Sequence, residues 1–262
     1  MSKARIAEAF SSSKAFIPFI TCGFPDVDTT ISVIESAVAN GADLIEIGIP
    51  FSDPTAEGPV IQGANLVALQ GGITTDKVFD CVRVLRNEKG IKIPLVFMTY
   101  ANVVYSYGAE RFMKNCSEVG IDGIILPDLP FEEKEEFAVV CDEFDVALIS
   151  LIAPTSESRI AMIAKEADGF IYVVSSLGVT GTRSEITTDL GSIVAKIREV
   201  TSVPCAIGFG ISNPEQAQKM AGFADGAIVG SAIIKIIDKH GKNSAGPVGE
   251  YVKSMKEAVL KA

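Results

Sequence analysis

Eight short apolar runs, rich in Ile and Val, recur along this chain with amphipathic stretches between them. They are FIPFIT (16–21), DLIEIG (43–48), PLVFMT (94–99), DGIILP (122–127), VALISLI (146–152), FIYVVS (170–175), PCAIGF (204–209) and DGAIVG (225–230). Near-continuous apolar runs of this length suit parallel strands covered on both faces. The spacers carry helical periodicity. TTISVIESAVANG (29–41) puts Ile31, Ile34, Ala37 and Val38 on one face, and ERFMKNCSEVG (110–120) does so with Phe112, Met113 and Cys116. Three junctions, at 40–48, 119–127 and 221–230, share a helix-ending Gly, a polar residue and then a strand. Glycine is the natural residue just past a helix end. The repeat predicts an α/β chain folded as a closed (β/α)8 barrel, with a doubly wound sheet as the competing architecture. The helix-forming KARIAEAF (3–10) precedes the first strand and is expected to cover the lower end. The link from the second to the third strand is the longest, so a long loop is expected after the second strand. With 262 residues, 48% apolar, and no linker or low-complexity tract, residues 1–262 are expected to form one domain.

Acidic residues outnumber basic ones by 33 to 23, a net charge of −10, and no basic run occurs. Nucleic acids and anionic membranes are therefore poor partners. A phosphate group remains a possible ligand, because backbone N–H groups bind it locally. The five cysteines, Cys22, Cys81, Cys116, Cys141 and Cys205, are odd in number and show no CxxC spacing. They read as reduced core side chains of a cytoplasmic protein. MSKARIAEAF has no apolar signal region, and no membrane-length apolar run follows.

The stretch LIEIGIPFSDPTAEGPVIQG (44–63) carries the strongest chemical signal. Strand alternation groups Glu46 with Leu44 and Gly48 on one face. An acid in such a strand is costly unless used or paired. Pointing into a barrel near its upper end, it would have a raised pKa and could exchange a proton near neutrality. The alternative is a structural carboxylate that caps backbone donors. Asp53 and Glu57 follow in a loop stiffened by Pro54 and Pro59. Glu57 reads equally as a second site carboxylate or as an exposed loop acid. Together the acids suggest a two-carboxylate proton-transfer site.

Glycine-rich turns follow the last three strands: SLGVTGT (176–182), GFGIS (208–212) and GSAII (230–234). Backbone amides there, with a helix N-terminus, would make a phosphate cradle. The stretch 175–186, with its single Arg183, also suits a lid, or else a plain surface loop. Tyr100, Tyr105 and Tyr107 crowd the expected loop after the third strand, YANVVYSYG (100–108), and read as pocket lining, docking surface or, for Tyr100, core. Asn102 is a candidate interface hydrogen-bonder. His240, the only histidine, stands at an apparent helix end before Gly241, an ordinary dipole position. With one histidine and no clustered cysteines, His-based triads and zinc sites are not expected, and no metal is assigned. Neither a GxGxxG nor a P-loop run supports a nucleotide role.

Residues 46–63, with YAN (100–102), GVTGT (178–182), GFGIS (208–212) and GSAI (230–233), closely resemble the tryptophan synthase alpha chain family. The likeness runs over nearly the whole chain. It implies retro-aldol cleavage of indole-3-glycerol phosphate to indole and D-glyceraldehyde 3-phosphate, without metal or Schiff base. By the same resemblance Glu46 is the general acid/base. Glu57 is the carboxylate that holds the indole N–H. Phe19, Ile61 and Tyr172 lie near the indole, and Tyr100 is counted with the substrate-binding residues. Thr180 orients the second carboxylate, and Gly181, Phe209, Gly210, Gly230 and Ser231 cradle the phosphate. The implied partner is a beta chain carrying pyridoxal phosphate, in an αββα assembly that passes indole through an internal tunnel. No cofactor is expected in this chain. The docking face would include Pro50, Asp53, Asn102 and Tyr105. Two departures stand out: Glu57 replaces the Asp of well-known members, and Ser176 stands where some carry Arg. Competing readings are another phosphosubstrate barrel such as a sugar-phosphate isomerase, a stand-alone indole-releasing lyase, and an allosteric activator with weak activity.

Overall fold

The computed structural model describes residues 2–154, 157–175, 189–208 and 210–262. Its eight strands are β1 (Ala15–Thr21), β2 (Ile45–Gly48), β3 (Leu95–Met98), β4 (Gly123–Ile125), β5 (Ala147–Ile152), β6 (Ile171–Val174), β7 (Cys205–Gly208) and β8 (Gly226–Val229). Each pairs in parallel with the next, and β8 closes onto β1. The expected barrel is therefore present; seven of the eight apolar runs contain their strand, and β1 begins one residue before its run.

Register fixes what the barrel encloses. Phe19 stands opposite Glu46, Glu46 opposite Val96, and Val96 opposite Gly123. In-register neighbours on parallel strands share a face, so these residues form one inward layer. A Cβ added at Gly48 would meet the Phe19 ring at 2.5 Å, which puts Gly48 on the same inner face. Ile45 and Ile47, on the opposite face of β2, are fully buried beneath the helices.

The helices follow the predicted capping logic, with two corrections. Helix Val27–Ala39 opens on Asp26, whose side chain accepts the Thr29 N–H, and it ends before Gly41 at φ 101°. Helix Ala109–Val119 ends on Gly120 in the left-handed region, φ 83°, where glycine is strain-free. The third junction differs. Gly222 lies inside helix Pro214–Phe223, and Ala224 ends that helix in an extended conformation. The aromatic segment after β3 is a second difference, since Ala101–Tyr107 is helical rather than a loop. The long connection from β2 begins with ten irregular residues, 49–58, before helix Pro59–Gln70.

Helix Ser2–Ala9 covers the lower end as expected. Ile6 is fully buried against Gly169, just before β6, and Phe10 packs on Phe170 with ring centroids 5.7 Å apart. Beside it sits a buried ionic knot. The Asp122 carboxylate, its side chain fully buried, accepts from Arg5 Nε (2.6 Å), Arg86 Nη2 (2.8 Å) and Leu95 N (2.9 Å). Arg86 also donates to the Gly120, Ile91 and Ile93 carbonyls. The knot ties the first helix, the approach to β3 and the start of β4 together. All five cysteines are free and buried.

Asp122→Ala would leave the Arg86 guanidinium buried beside carbonyls alone, and breaking one side of a buried pair costs roughly 3–5 kcal/mol. Arg5→Ala, at a position one-third exposed, is expected to cost much less. Urea denaturation monitored by circular dichroism should show that order.

Candidate active site

The upper, C-terminal end of the barrel holds a small cavity lined by Phe19, Glu46, Ile61, Met98, Tyr172, Gly210, Ile211, Ile228, Gly230 and Ser231. Its volume is about 20 Å³, room for roughly one water molecule. Residues from the first two strands, the helix after β2, and the turns after β7 and β8 meet there.

Glu46 forms part of the cavity wall and is 1% exposed. Among the described residues neither carboxyl oxygen has a hydrogen-bond partner. An ionised carboxylate in such surroundings has lost water and gained nothing in return, so burial pushes its pKa up to about 8. The structural alternative, a carboxylate that caps backbone donors, has no support here.

Glu57 is buried as well, at 4% exposure, so the exposed-acid reading is set aside. It is not among the residues that line the small cavity. Its Oε2 accepts from Asn65 Nδ2 at 2.7 Å, and its carbonyl accepts from Gln62 Nε2 at 2.7 Å. Both donors sit on helix Pro59–Gln70, so the longer side chain is held by the helix that follows it. Burial raises the Glu57 pKa to about 7, with the Asn65 amide pulling the other way. The loop is pinned further where Ala56 N donates to the Tyr100 hydroxyl at 3.1 Å. Tyr100 packs against Phe51, centroids 5.3 Å apart, and its phenol pKa is raised by burial and by the Glu57 charge.

Two glycines make space for two aromatic rings. A Cβ at Gly48 would strike Phe19, and one at Gly208 would lie 2.2 Å from the Tyr172 hydroxyl oxygen. Phe19 leans across the upper barrel from β1, and Tyr172 does so from β6. Beyond them, Ala56, Leu126, Leu129, Leu151, Ala153 and Val174 border a larger cavity of about 560 Å³. The apolar residues Leu126, Leu129 and Leu151 were not singled out in the sequence, where they read only as parts of strand-like runs or loops.

The turns after β7 and β8 converge. Gly210, at φ 89°, and Gly230–Ser231 line the same cavity as Glu46. Helix Ser231–His240 starts at Gly230, which has no side chain to cap the first turn. The uncapped first-turn N–H groups and the positive end of the helix dipole favour an anion there. His240 ends this helix, exposed, before Gly241 at φ 52°, as expected for a capping position. Thr180, Gly181 and Phe209, with Ser176, Arg183 and the rest of the candidate lid beyond Ser175, lie outside the described residues.

Of the expected docking residues, Asp53, Asn102 and Tyr105 are exposed, Tyr105 at 68%, whereas Pro50 is buried. Phe51 separates two shallow depressions. One is bordered by Asp53, Pro54, Leu66 and Leu69, the other by Asn102, Val103 and Tyr107. Leu66 and Val67 are exposed nearby, at 56% and 41%.

The sequence profile of the family described as tryptophan synthase alpha chain matches residues 7–260. The tryptophan synthase alpha chain of Lacticaseibacillus casei is 45% identical over 259 residues, 99% of this chain and 97% of its own length. That of Lactiplantibacillus plantarum is 50% identical over 251 residues, 95% and 94% of the two lengths. Among solved structures, tryptophan synthase of Mycobacterium tuberculosis matches at 30% identity with a TM-score of 0.88, covering 98% of each chain. The alpha chain from Legionella pneumophila matches at 35% identity, TM-score 0.87, covering 97% of each. The family's reaction is the cleavage of indole-3-glycerol phosphate, a lyase reaction. Profile, relatives and barrel agree, and this chain belongs to the tryptophan synthase alpha chain family.

Proposed function

We propose that Glu46 and Glu57 divide the work of this cleavage. Protonated Glu46 gives its proton to indole C3, which creates an indolenine cation. The Glu57 carboxylate accepts the indole N–H and offsets that positive charge in a water-poor site. Ionised Glu46 then takes the proton of the glycerol hydroxyl next to the ring. The carbon–carbon bond breaks, its electrons return to the indole, and the oxygen becomes the aldehyde of glyceraldehyde 3-phosphate. Protons balance, because Glu46 ends the cycle as it began. The phosphate rests on the turns at Gly210 and Gly230–Ser231 and contributes remote binding energy for orientation. Thr180, Gly181 and Phe209 complete the proposed binding set with Phe19, Tyr100 and Tyr172.

The observation that supports this reading best is a buried, unpartnered carboxyl facing glycine turns across one cavity. An enediol isomerase favours a histidine electrophile, and the single histidine is exposed at a helix end. We assign the partner as a beta chain that holds pyridoxal phosphate, in an αββα assembly. The exposed apolar surface around Phe51, Leu66 and Tyr105 suits such a contact. The chain is read as one barrel domain working in the cytoplasm, and no described helix is long and apolar enough to cross a membrane. An assay of indole release from indole-3-glycerol phosphate, with and without beta chain, tests the function. Release that the beta chain enhances is expected. No release in either arm would leave only an activator role.

Glu46→Gln should lower the release rate by roughly 10²–10⁴-fold, the usual worth of a general acid/base. Glu57→Gln should lower it by roughly 10²–10³-fold. A Glu57→Gln variant near parental activity would remove Glu57 from the mechanism. Stability should move the other way for Glu46. Its pKa is about 4.5 when free and about 8 in the fold, so ionisation opposes folding increasingly as pH climbs between those values. Glu46→Gln is therefore expected to melt higher than the parent, by on the order of 3 kcal/mol at pH 7, with the gap closing below pH 4.5.

The same two groups set the pH profile of kcat/KM. Activity should rise as Glu57 ionises near 7 and fall as Glu46 loses its proton near 8, a narrow bell. A flat profile from pH 6 to 9 would contradict the roles. Finally, Gly208→Ala would drive a methyl into the Tyr172 hydroxyl. A ring displaced by about 1 Å can cost roughly a hundredfold in rate. Steady-state kinetics alongside circular dichroism should show lost turnover in a folded protein.

A further inference from the structure

The helix layer has an opening over one strand. In the other seven strands every residue is buried, whereas Leu148, Ser150 and Leu151 of β5 are only half-buried. Ile149 points inward, since its Cδ1 lies 3.4 Å from a Cβ built at Gly123 on the inner face of β4. Leu148 and Ser150 therefore face outward, into a slot between helices Glu135–Glu143 and Glu157–Lys165. Ala138 and Val139 on one helix and Ile163 on the other form its walls. Val139 is 58% exposed. The slot is one continuous space with the larger cavity beside the site, about 560 Å³ in all, and Ala56, next to Glu57, borders its inner end.

Ion pairs bridge the two flanks. Arg159 donates to both Glu132 oxygens (2.6 and 3.0 Å), and Lys134 meets Glu166 at 2.6 Å. At the lower end Lys3 spans Asp142 (2.9 Å) and Asp168 (2.6 Å). These bridges span the slot and pair its cations with the chain's own carboxylates. A helical peptide would have to break them to enter. A charged ligand would have to displace one partner. Slot and larger cavity together lie in the range of small-molecule sites, roughly 300–1,000 Å³. The space opens directly from the chamber in which, on the reading above, a neutral bicyclic aromatic is released.

We propose that the slot over β5 is a second binding site, outside the catalytic chamber, for a neutral planar aromatic molecule of the indole class. The choice of ligand rests on the function proposed above. The slot itself is tested without any turnover.

The test is a titration of the full chain, methyl-labelled on Ala, Ile, Leu and Val, with indole and followed by NMR. Saturable shifts are expected at Ala138, Val139, Leu148 and Ile163. Ser150→Phe, whose ring would fill the floor, should abolish them while the chamber methyls of Leu151 and Val174 still respond. Val139→Trp, a change at an exposed rim position, serves as a second filled variant if Ser150→Phe does not fold. Indole-3-acetate, the anionic counterpart, should shift the slot methyls at least several-fold less at equal concentration. Absence of slot shifts, shifts that survive both filled variants, or an equal response to the anion would each overturn the proposal. Failure to release indole from indole-3-glycerol phosphate would sink the proposed function and leave this result standing.

Discussion

A single desolvated carboxyl governs how the upper half of this molecule can work. Glu46 is surrounded by barrel side chains and has no donor among the described residues to stabilise its charge. The fold tolerates this because a neutral carboxylic acid is far cheaper to bury than a carboxylate. Proton exchange near neutrality follows from that arrangement. The glycines at 48 and 208 then leave room for Phe19 and Tyr172 beside Glu46. Burial sets the strength of the acid, and the two glycines shape the cavity wall around it.

The lower half is built on the opposite principle. Asp122 is as deeply buried as Glu46, yet it is held by two arginines and a backbone N–H. One buried acid is fully satisfied and ties elements together. The other is left unsatisfied and faces a cavity. Barrels of this class keep stability at the bottom and chemistry at the top, and here the contrast can be seen in two carboxylates.

Much of this was legible in the sequence. Continuous apolar runs betrayed all eight strands, because buried parallel strands need apolar residues on both faces. Alternation placed Glu46 correctly for the same reason. Ala101–Tyr107 was read as a loop although Tyr100, Val103, Val104 and Tyr107 stand at helical spacing and pack on the core, because a helix of seven residues is too short for its period to stand out. Gly222 was misjudged because a glycine near a helix end need not be the residue that ends it. Asn65 was missed, although a signal existed. It lies on the buried face of its helix with Ile61, Ala64 and Ala68, where an amide needs a partner. The slot over β5 could not be read, since it depends on how far apart two helices settle.

The small cavity has a kinetic consequence. With space for about one water molecule, it cannot admit the carbon that Glu46 would protonate. On the proposed reading, the ring that Glu46 protonates is met only when the aromatic side chains that wall the cavity, Phe19 and Tyr172, give way. Apparent affinity is then discounted by the rarity of the opened form. Anything that holds those rings apart beforehand would tighten binding without touching the ligand at all.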